Sequence, residues 1–320
     1  MSERSKIRIG ISACLLGVKV RYDGGHKRDK LINETLSQYF EFVPVCPEVE
    51  SGMGAPREPI RLIRLSDGAI KAVGVHNAHL DVTASLSCFS HSRMPGLTSI
   101  RGYIVKSKSP SCGMEKVPVY PERGTSRSSG RGLFTSILMR TYPLLPVEEE
   151  GTLCNPVLRE NFLERVMVYE RWQALLDSGF TVAKLIDFHS CYKLLILSHN
   201  QAAYRRLGRA VAQAHSRNLQ QTAEFYGDAL MNAIKRPADR ANHVNVLRHL
   251  AGYLRKVLDS QEKQKLQSIL EKYRNGRLPL IAPLTLMRDH FRRYPNPSVA
   301  RQVYLDWYGD ARDLMLKNRE

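Results

Sequence analysis

Residues 7–46 read IRIGISACLLGVKVRYDGGHKRDKLINETLSQYFEFVPVC. The stretch opens on a short apolar run, Ile7–Ser12, and closes on another at 42–45. Short β-branched runs bounded by turn residues read as buried strands. Between them, residues 30–40 place Leu31, Ile32, Leu36 and Phe40 near helical spacing. Strand, helix, strand over this length is a βαβ unit, which implies parallel strands joined by a right-handed crossover. A third run of the same texture, 103–105, extends the sheet.

The same unit shows where chemistry can sit. Cys14 follows the first strand in SACLLG, Cys46 follows the second in VCPEVESG, and Cys112 follows the third in KSKSPSCG. In open α/β sheets ligands bind at the carboxyl ends of the strands, near a switch in strand order. Three loops leaving one edge can bring together three thiols that lie far apart along the chain. Two readings are open. The cysteines can be small buried apolar residues, or they can be a soft metal site. Iron–sulfur clusters usually have four thiolates, so three leave one iron open as a Lewis acid or for a soft ligand. Glu48, two residues after Cys46, is a candidate general base. Pro47, Gly52, Gly54, Pro56 and Arg57 make a rigid loop that suits a small planar ligand. Ser107, Lys108, Ser109 and Ser111 supply hydroxyls and a charge before Cys112. Arg21, Tyr22 and Asp23 occupy the loop after Cys14.

Composition bounds the rest. A chain of 320 residues is long for one core and predicts two domains. No apolar stretch approaches the roughly 18 residues of a membrane span, so a soluble protein without membrane association is expected. The N-terminus is basic over 1–8, but too few apolar residues precede Cys14 for a secretory signal, and the cytoplasm is the expected location. The six cysteines repeat at no fixed spacing and include no CxxC, which argues against a disulfide framework and a zinc ribbon. Net charge is +17. Residues 1–151 hold 21 Lys and Arg against 15 Asp and Glu, and the remainder 27 against 16, giving +6 and +11. A strongly basic second half predicts a polyanion partner, most simply nucleic acid.

The texture changes after about residue 153. Before it, apolar runs alternate with Gly/Pro/Ser loops, including a polar loop at 124–132 ahead of a helix at 133–139. After it, helices are expected at 161–176, 182–197, 204–214, 222–234, 245–257, 261–273, 284–290 and 297–307, punctuated by prolines. The fold class is therefore α/β. A Rossmann-like N-terminal domain with a parallel sheet, 1–152, is followed by an all-α C-terminal domain, 153–320.

SACLLG with RYDG, CPEVESGMGAPREP and KSKSPSCG, in that order, resemble the thiouracil desulfidase (TudS) family over roughly residues 5–150. SHNQAAYRRLG and HVNVLRHLAGYL resemble the YbgA-type helical domain. The combination is similar to the two-domain tRNA 4-thiouridine desulfidases (RudS). The resemblance implies a 4Fe–4S cluster held by Cys14, Cys46 and Cys112, with one iron not ligated by protein and open to a thiocarbonyl sulfur. It also implies that Glu48 activates water or shuttles its proton and that Ser109 orients the base, with Ser107 and Ser111 as rivals. Arg57, Ser107, Ser111 and Asp23 are the expected substrate contacts. Cys88, Cys154 and Cys191 fall outside the motifs and read as buried or incidental thiols.

In the second half, Arg205, Arg206 and Arg209 cluster beside Tyr204. Lys235 and Arg236 follow another helix, and Arg292 and Arg293 lie beside Tyr294. Guanidinium groups neutralise phosphates, and interleaved aromatic rings stack on unpaired bases. These residues are the expected contacts to a thiouridine-containing tRNA, and no obligatory protein partner is expected. Met231, Leu247, Leu250 and Leu254 are expected in the core. Two competing functions are desulfidation of free thiouracil and a non-catalytic iron–sulfur regulator that binds nucleic acid.

Overall fold

A computed structural model describes residues 6–77, 79–122 and 128–305. The chain divides into two compact units, Met1–Glu170 and Arg171–Glu320. The first unit contains strands β1 (Ile7–Ser12), β2 (Phe40–Val45), β3 (Ile60–Arg64), β4 (Ile70–Gly74), β5 (Gly102–Val105), β6 (Val117–Pro121), β7 (Ser128–Gly130) and β8 (Val147–Glu149). Helices α1 (Thr83–Arg93) and α2 (Leu133–Thr141) lie among them, and α3 (Pro156–Asp177) follows β8.

One sheet is wholly parallel, in the order β2-β1-β5-β8. It is the α/β sheet expected from the opening stretch. Its strands are buried along most of their length, with Ile9, Ile11, Val45, Tyr103, Ile104 and Val105 wholly enclosed, as parallel strands covered on both faces must be. Pro44 sits in β2 opposite Ile11. That strand is at the sheet edge, where a missing N–H costs no ladder bond. The chain runs from β1 to β2 on one side and later enters β5 on the other, so the strand order reverses at β1. The pairings are nearly level: Ser12 stands opposite Val45, and Ile11 opposite Ile104. The loops after β1, β2 and β5 therefore leave at the same height on one edge.

A second sheet, β4-β3-β6-β7, mixes directions and has no counterpart in the sequence reading. Ile60, Leu62, Ala72, Val117 and Val119 pack with Val82 and Leu86 to give it a core of its own. Two local expectations are corrected. The helix at 30–40 is broken into a π-turn over Leu31–Thr35 and a 3₁₀ turn over Leu36–Gln38. Asn33 donates its side-chain amide to the carbonyls of Leu15 and Asp29, and Ser37 Oγ bonds back to Asn33 O. Such side-chain competition for backbone groups bends a short helix. In the polar loop, 124–127 lie outside the described residues, but Ser128–Gly130 pairs with β6 as a strand.

The second unit contains the end of α3 and then α4 (Val182–His199), α5 (Gln201–Ala212), α6 (Leu219–Ala233), α7 (Arg240–Leu254), α8 (Ser260–Arg274), α9 (Ile281–Arg293) and α10 (Pro297–Ala300). It is all-α, as expected. Several helices start earlier than their apolar pattern because the caps set the start. Asn200, Asp239 and Asp259 accept from the amides of Ala203, Asn242 and Glu262, each satisfying one orphan N–H. The expected helix at 297–307 is interrupted after Ala300 and is helical again at 303–305, and residues 306 and 307 lie outside the described residues. Leu247, Leu250, Leu254, Leu284 and Met287 form the centre of a large core, and Met231 is likewise buried. Among the described residues, no helix is long and apolar enough to cross a membrane.

Candidate functional site

The level strand ends open onto a cavity of about 380 Å³ lined by Cys14, Cys46 and Cys112. Cys14 follows β1 in a turn closed by Gly17, whose φ of 92° is left-handed and therefore suits glycine. The Cys14 carbonyl accepts from the amides of Gly17 and Lys27, at 3.2 and 2.9 Å. Cys46 begins the helical turn that continues through Val49–Met53, and its own amide donates to Glu50 Oε1 at 2.7 Å.

The Cys112 loop is held most tightly. Gly132, at the head of α2, lies against it, and the amides of Leu133 and Phe134 donate to the carbonyls of Pro110 and Ser111. Thr135 Oγ1 donates to Cys112 O at 2.6 Å, and Glu149 accepts from the amides of Met114 and Glu115. A Cβ on Gly132 would stand 2.4 Å from Ser111 O and 2.7 Å from Cys112 N. Gly132→Ala is therefore expected to cost about 1–3 kcal/mol by overpacking. It should also displace Cys112, seen as a lower denaturation midpoint together with poorer iron retention after reconstitution. Wild-type iron binding would show that the loop tolerates the methyl group.

Burial governs the thiols. It pushes Cys14 up to about 11, with the nearby Cys46 adding to the rise. It also raises Cys46, and raises Cys112 well above its ordinary value. Against burial, the backbone at Val49 and Glu48 pulls the Cys46 thiol down and the Ser12 hydroxyl pulls the Cys112 thiol down. Hydrogen bonds aimed at sulfur are what a metal-bound thiolate requires, and they tune such centres. Two thiolates on one tetrahedral ion stand roughly 3.8 Å apart for a metal–sulfur bond near 2.3 Å. Among the described residues, no three His, Cys, Asp or Glu are grouped to hold a single ion. Three soft thiols lining one cavity are the kind of donor set an iron–sulfur cluster takes.

Glu48 lines the same cavity. Its Oε2 accepts from Arg57 Nε and Nη2 at 2.9 and 2.6 Å, and its Oε1 accepts from Ser111 Oγ at 2.7 Å. Each carboxylate oxygen has two lone-pair sites. Oε2 is saturated and Oε1 retains one acceptor position for a water or a ligand N–H. Arg57 is largely committed as well. Nη1 reaches Val20 O and Gly54 O at 2.9 and 2.7 Å, and its backbone amide donates to Tyr22 O. It joins the Cys14 loop to the Cys46 loop, and of its five guanidinium N–H groups one, on Nη2, is left for a ligand.

The three serines separate clearly. Ser109 lines the cavity, and its Oγ accepts from the amides of Ser111 and Cys112. Ser111 is wholly buried behind the wall, against Glu48. Ser107 lines the cavity and donates to Glu150 Oε1 at 2.8 Å. Asp23 is not among the lining residues. It accepts from the Gly25 amide and pairs with Arg21, which does line the cavity.

Sequence reasoning missed Lys106 and Glu150. The Lys106 ammonium lines the cavity and bonds to Glu150, which also accepts from the Ser107 amide at 2.7 Å. Burial alone would raise the Glu150 carboxyl, but Lys106 and Ser107 outweigh it and hold the group below its ordinary value. The available signal was position: Glu150 directly follows β8, beside the end of β5.

In the helical unit, Arg205, Arg206 and Arg209 are exposed on α5, and Lys235 and Arg236 are exposed after α6. Arg206 lies over the half-exposed Phe225 ring, 5.5 Å from its centroid. Arg292 and Arg293, at the end of α9, are paired with Asp289 and Glu262. Of the remaining thiols, Cys88 and Cys154 are exposed and Cys191 is partly so, which leaves the incidental alternative and not the buried one.

A family model described as 2-thiouracil desulfurase matches residues 9–150. A second, described as a protein of unknown function (DUF1722), matches residues 193–309. The uncharacterized protein YbgA of Escherichia coli (strain K12) is 35% identical over 148 residues, which cover 46% of this chain and 88% of YbgA. The uncharacterized protein YbbK of Bacillus subtilis (strain 168) is 30% identical over 112 residues, covering 32% of this chain and 71% of YbbK. Among solved structures, the 4Fe–4S-dependent thiouracil desulfidase TudS is 29% identical, covers 46% of this chain and 93% of its own, and has a TM-score of 0.37.

Proposed function

Because the chain belongs to the 2-thiouracil desulfurase family and carries a DUF1722 domain after it, we propose that it removes sulfur from 4-thiouridine in tRNA, using a 4Fe–4S cluster. The products are uridine and hydrogen sulfide. The observation that carries this reading is the convergence of three thiols and an oriented carboxylate on one cavity.

Cys14, Cys46 and Cys112 would hold the cluster, leaving one iron without a protein ligand. When bound, the cluster supplies a soft Lewis acid for the thiocarbonyl sulfur. The chain's own part is to position and to move a proton. Glu48 Oε1, with its free acceptor site, takes a proton from water as the oxygen attacks the ring carbon that bears sulfur. The carbon–oxygen bond forms, the carbon–sulfur bond breaks, and sulfur leaves as hydrogen sulfide without net electron transfer. Arg57 and Ser111 keep Glu48 aimed. Ser109 holds the Cys112 turn and stands at the wall, where it can meet the base.

The tRNA assignment is supported by the basic second half and by the exposed Arg205, Arg206, Arg209, Lys235 and Arg236. Arg292 and Arg293, being paired within the unit, can add to its field. A base stacked within tRNA would need extrusion to reach the cavity. The test is anaerobic reconstitution followed by addition of thiolated tRNA. Loss of the thiobase absorbance with stoichiometric sulfide is expected, and an unchanged spectrum with an intact cluster would refute the reading. In the same assay, Arg205→Ala with Arg206→Ala should weaken tRNA binding and flatten its salt dependence. Unaltered binding at several salt concentrations would remove α5 from the interface.

A further inference from the structure

Tyr103, on β5, is wholly buried, and its hydroxyl has no hydrogen-bond partner among the described residues. An unpaired buried hydroxyl destabilises the fold, and phenylalanine in the same place would avoid that cost. The ring nonetheless has a built seat. Its cross-strand neighbour on β1 is Gly10, where a Cβ would stand 2.3 and 2.5 Å from Tyr103 Cδ2 and Cε2. An interior strand thus forgoes a side chain so that the ring can lie across it, although glycine weakens a strand. Phe134 of α2 packs against the ring, with centroids 5.7 Å apart. The first turn of that helix also pins the Cys112 loop.

The hydroxyl lies in the neighbourhood of the thiols. Burial pushes it well above the usual phenol range, Cys112, Glu50 and Cys46 add to the rise, and Arg93 opposes it. It stays protonated and so remains a donor. Arg93, at the end of α1, has its Nε buried and unpartnered as well. Glu50 is exposed and accepts from the Cys46 amide. Two buried donors lack an acceptor here, and metal-bound sulfur is an acceptor. We infer that Tyr103 is a positioning residue of the cysteine-held centre, its hydroxyl donating to sulfur on the Cys112 side once iron has ionised that thiol. This deepens the proposed desulfidase reading and rests on it for the presence of the cluster. A donor aimed at bound sulfur spreads its negative charge, fixes the ligand and favours the reduced form of the centre.

The test compares Tyr103→Phe, which keeps the ring on Gly10, with Tyr142→Phe, whose lost hydroxyl donates to Met94 O at 2.6 Å. Each full chain is measured iron-free and after anaerobic reconstitution. Iron-free Tyr103→Phe should melt at or above the wild type. Once reconstituted, it should lose iron to a chelator on the order of tenfold faster, and its midpoint potential should move to more negative values. Tyr142→Phe should show the reverse: a lower melting temperature without iron, but wild-type iron retention and potential. Wild-type retention and potential in Tyr103→Phe, or a melting temperature already lowered in its iron-free chain, would overturn the proposal. Equally fast iron loss from Tyr142→Phe would do so too. A wild-type chain that takes up no iron rejects the proposed reaction and this role together, whereas iron held normally by Tyr103→Phe rejects the role alone.

Discussion

Cys14→Ala is expected to abolish sulfide release and to leave the reconstituted chain nearly free of iron, while its fold persists. Cys14 is 9% exposed, and its loop is held by backbone bonds from Gly17 and Lys27 that do not involve sulfur. Alanine fits the same space, so the packing loss is about 1 kcal/mol, too little to unfold a unit of this size. The chemical loss is far larger. Two thiols from opposite sides of the strand-order switch cannot hold a cluster that three only just satisfy. Iron per chain and turnover should fall together while the far-ultraviolet dichroism and melting curve stay put. Cys88→Ala, at an exposed position outside the cavity, should keep wild-type iron and activity. If Cys14→Ala loads iron normally and still releases sulfide, the three-thiol assignment fails.

Much of this site could be read in the sequence because strand ends announce themselves. Ile7–Ser12 and the runs ending at Val45 and Val105 are short, β-branched and bounded by turns, and each is followed by a cysteine loop. The parallel register then does what such strands must do, and the cysteines meet. The second sheet was not legible in the same way. β3 and β6 pair in parallel across more than fifty intervening residues, and nothing local in IRLIR or VPVYP specifies that partner. The broken helix after Lys30 failed for a different reason: Asn33 and Ser37 turn their side chains onto the backbone, which apolar spacing does not register.

Within the site, the serines show the limit most sharply. Ser109 and Ser111 are two residues apart in SPS, and composition cannot rank them. The turn aims one hydroxyl at the amides before Cys112 and the other at Glu48. The Lys106–Glu150 pair was hidden by sequence separation. Arg57 was visible as a loop residue near the cavity, but its role depends on contacts that only the folded loops create. Residue types that carry the chemistry were legible, and the hydrogen bonds that aim them were not.

The Glu48–Arg57 pair allows stability and chemistry to be separated. Both side chains are nearly enclosed, at 13% and 6% exposure. Removing one member of such a pair leaves an uncompensated charge and typically costs 3–5 kcal/mol, roughly 10 °C in melting temperature for a unit of this size. Arg57→Met should therefore be strongly destabilised, and the carbonyls of Val20 and Gly54 lose their donor as well. Glu48→Gln separates the effects differently. It also leaves the Arg57 charge without a counter-charge, but the amide oxygen can still accept from Arg57, so it should be destabilised less than Arg57→Met, while the proton acceptor is gone and turnover should fall by about 10²–10⁴. The double variant Arg57→Met/Glu48→Met removes the pair outright. A buried ion pair replaced by apolar residues of similar volume is often neutral in stability, so much of the loss in Arg57→Met should be recovered while the enzyme stays inactive. Denaturant midpoints and sulfide release, measured on all four proteins, resolve the two roles. If Glu48→Gln keeps full turnover, Glu48 is a strut between two loops and the attacking water must be activated elsewhere. If Arg57→Met melts like the wild type, the ion pair is not what holds that strut.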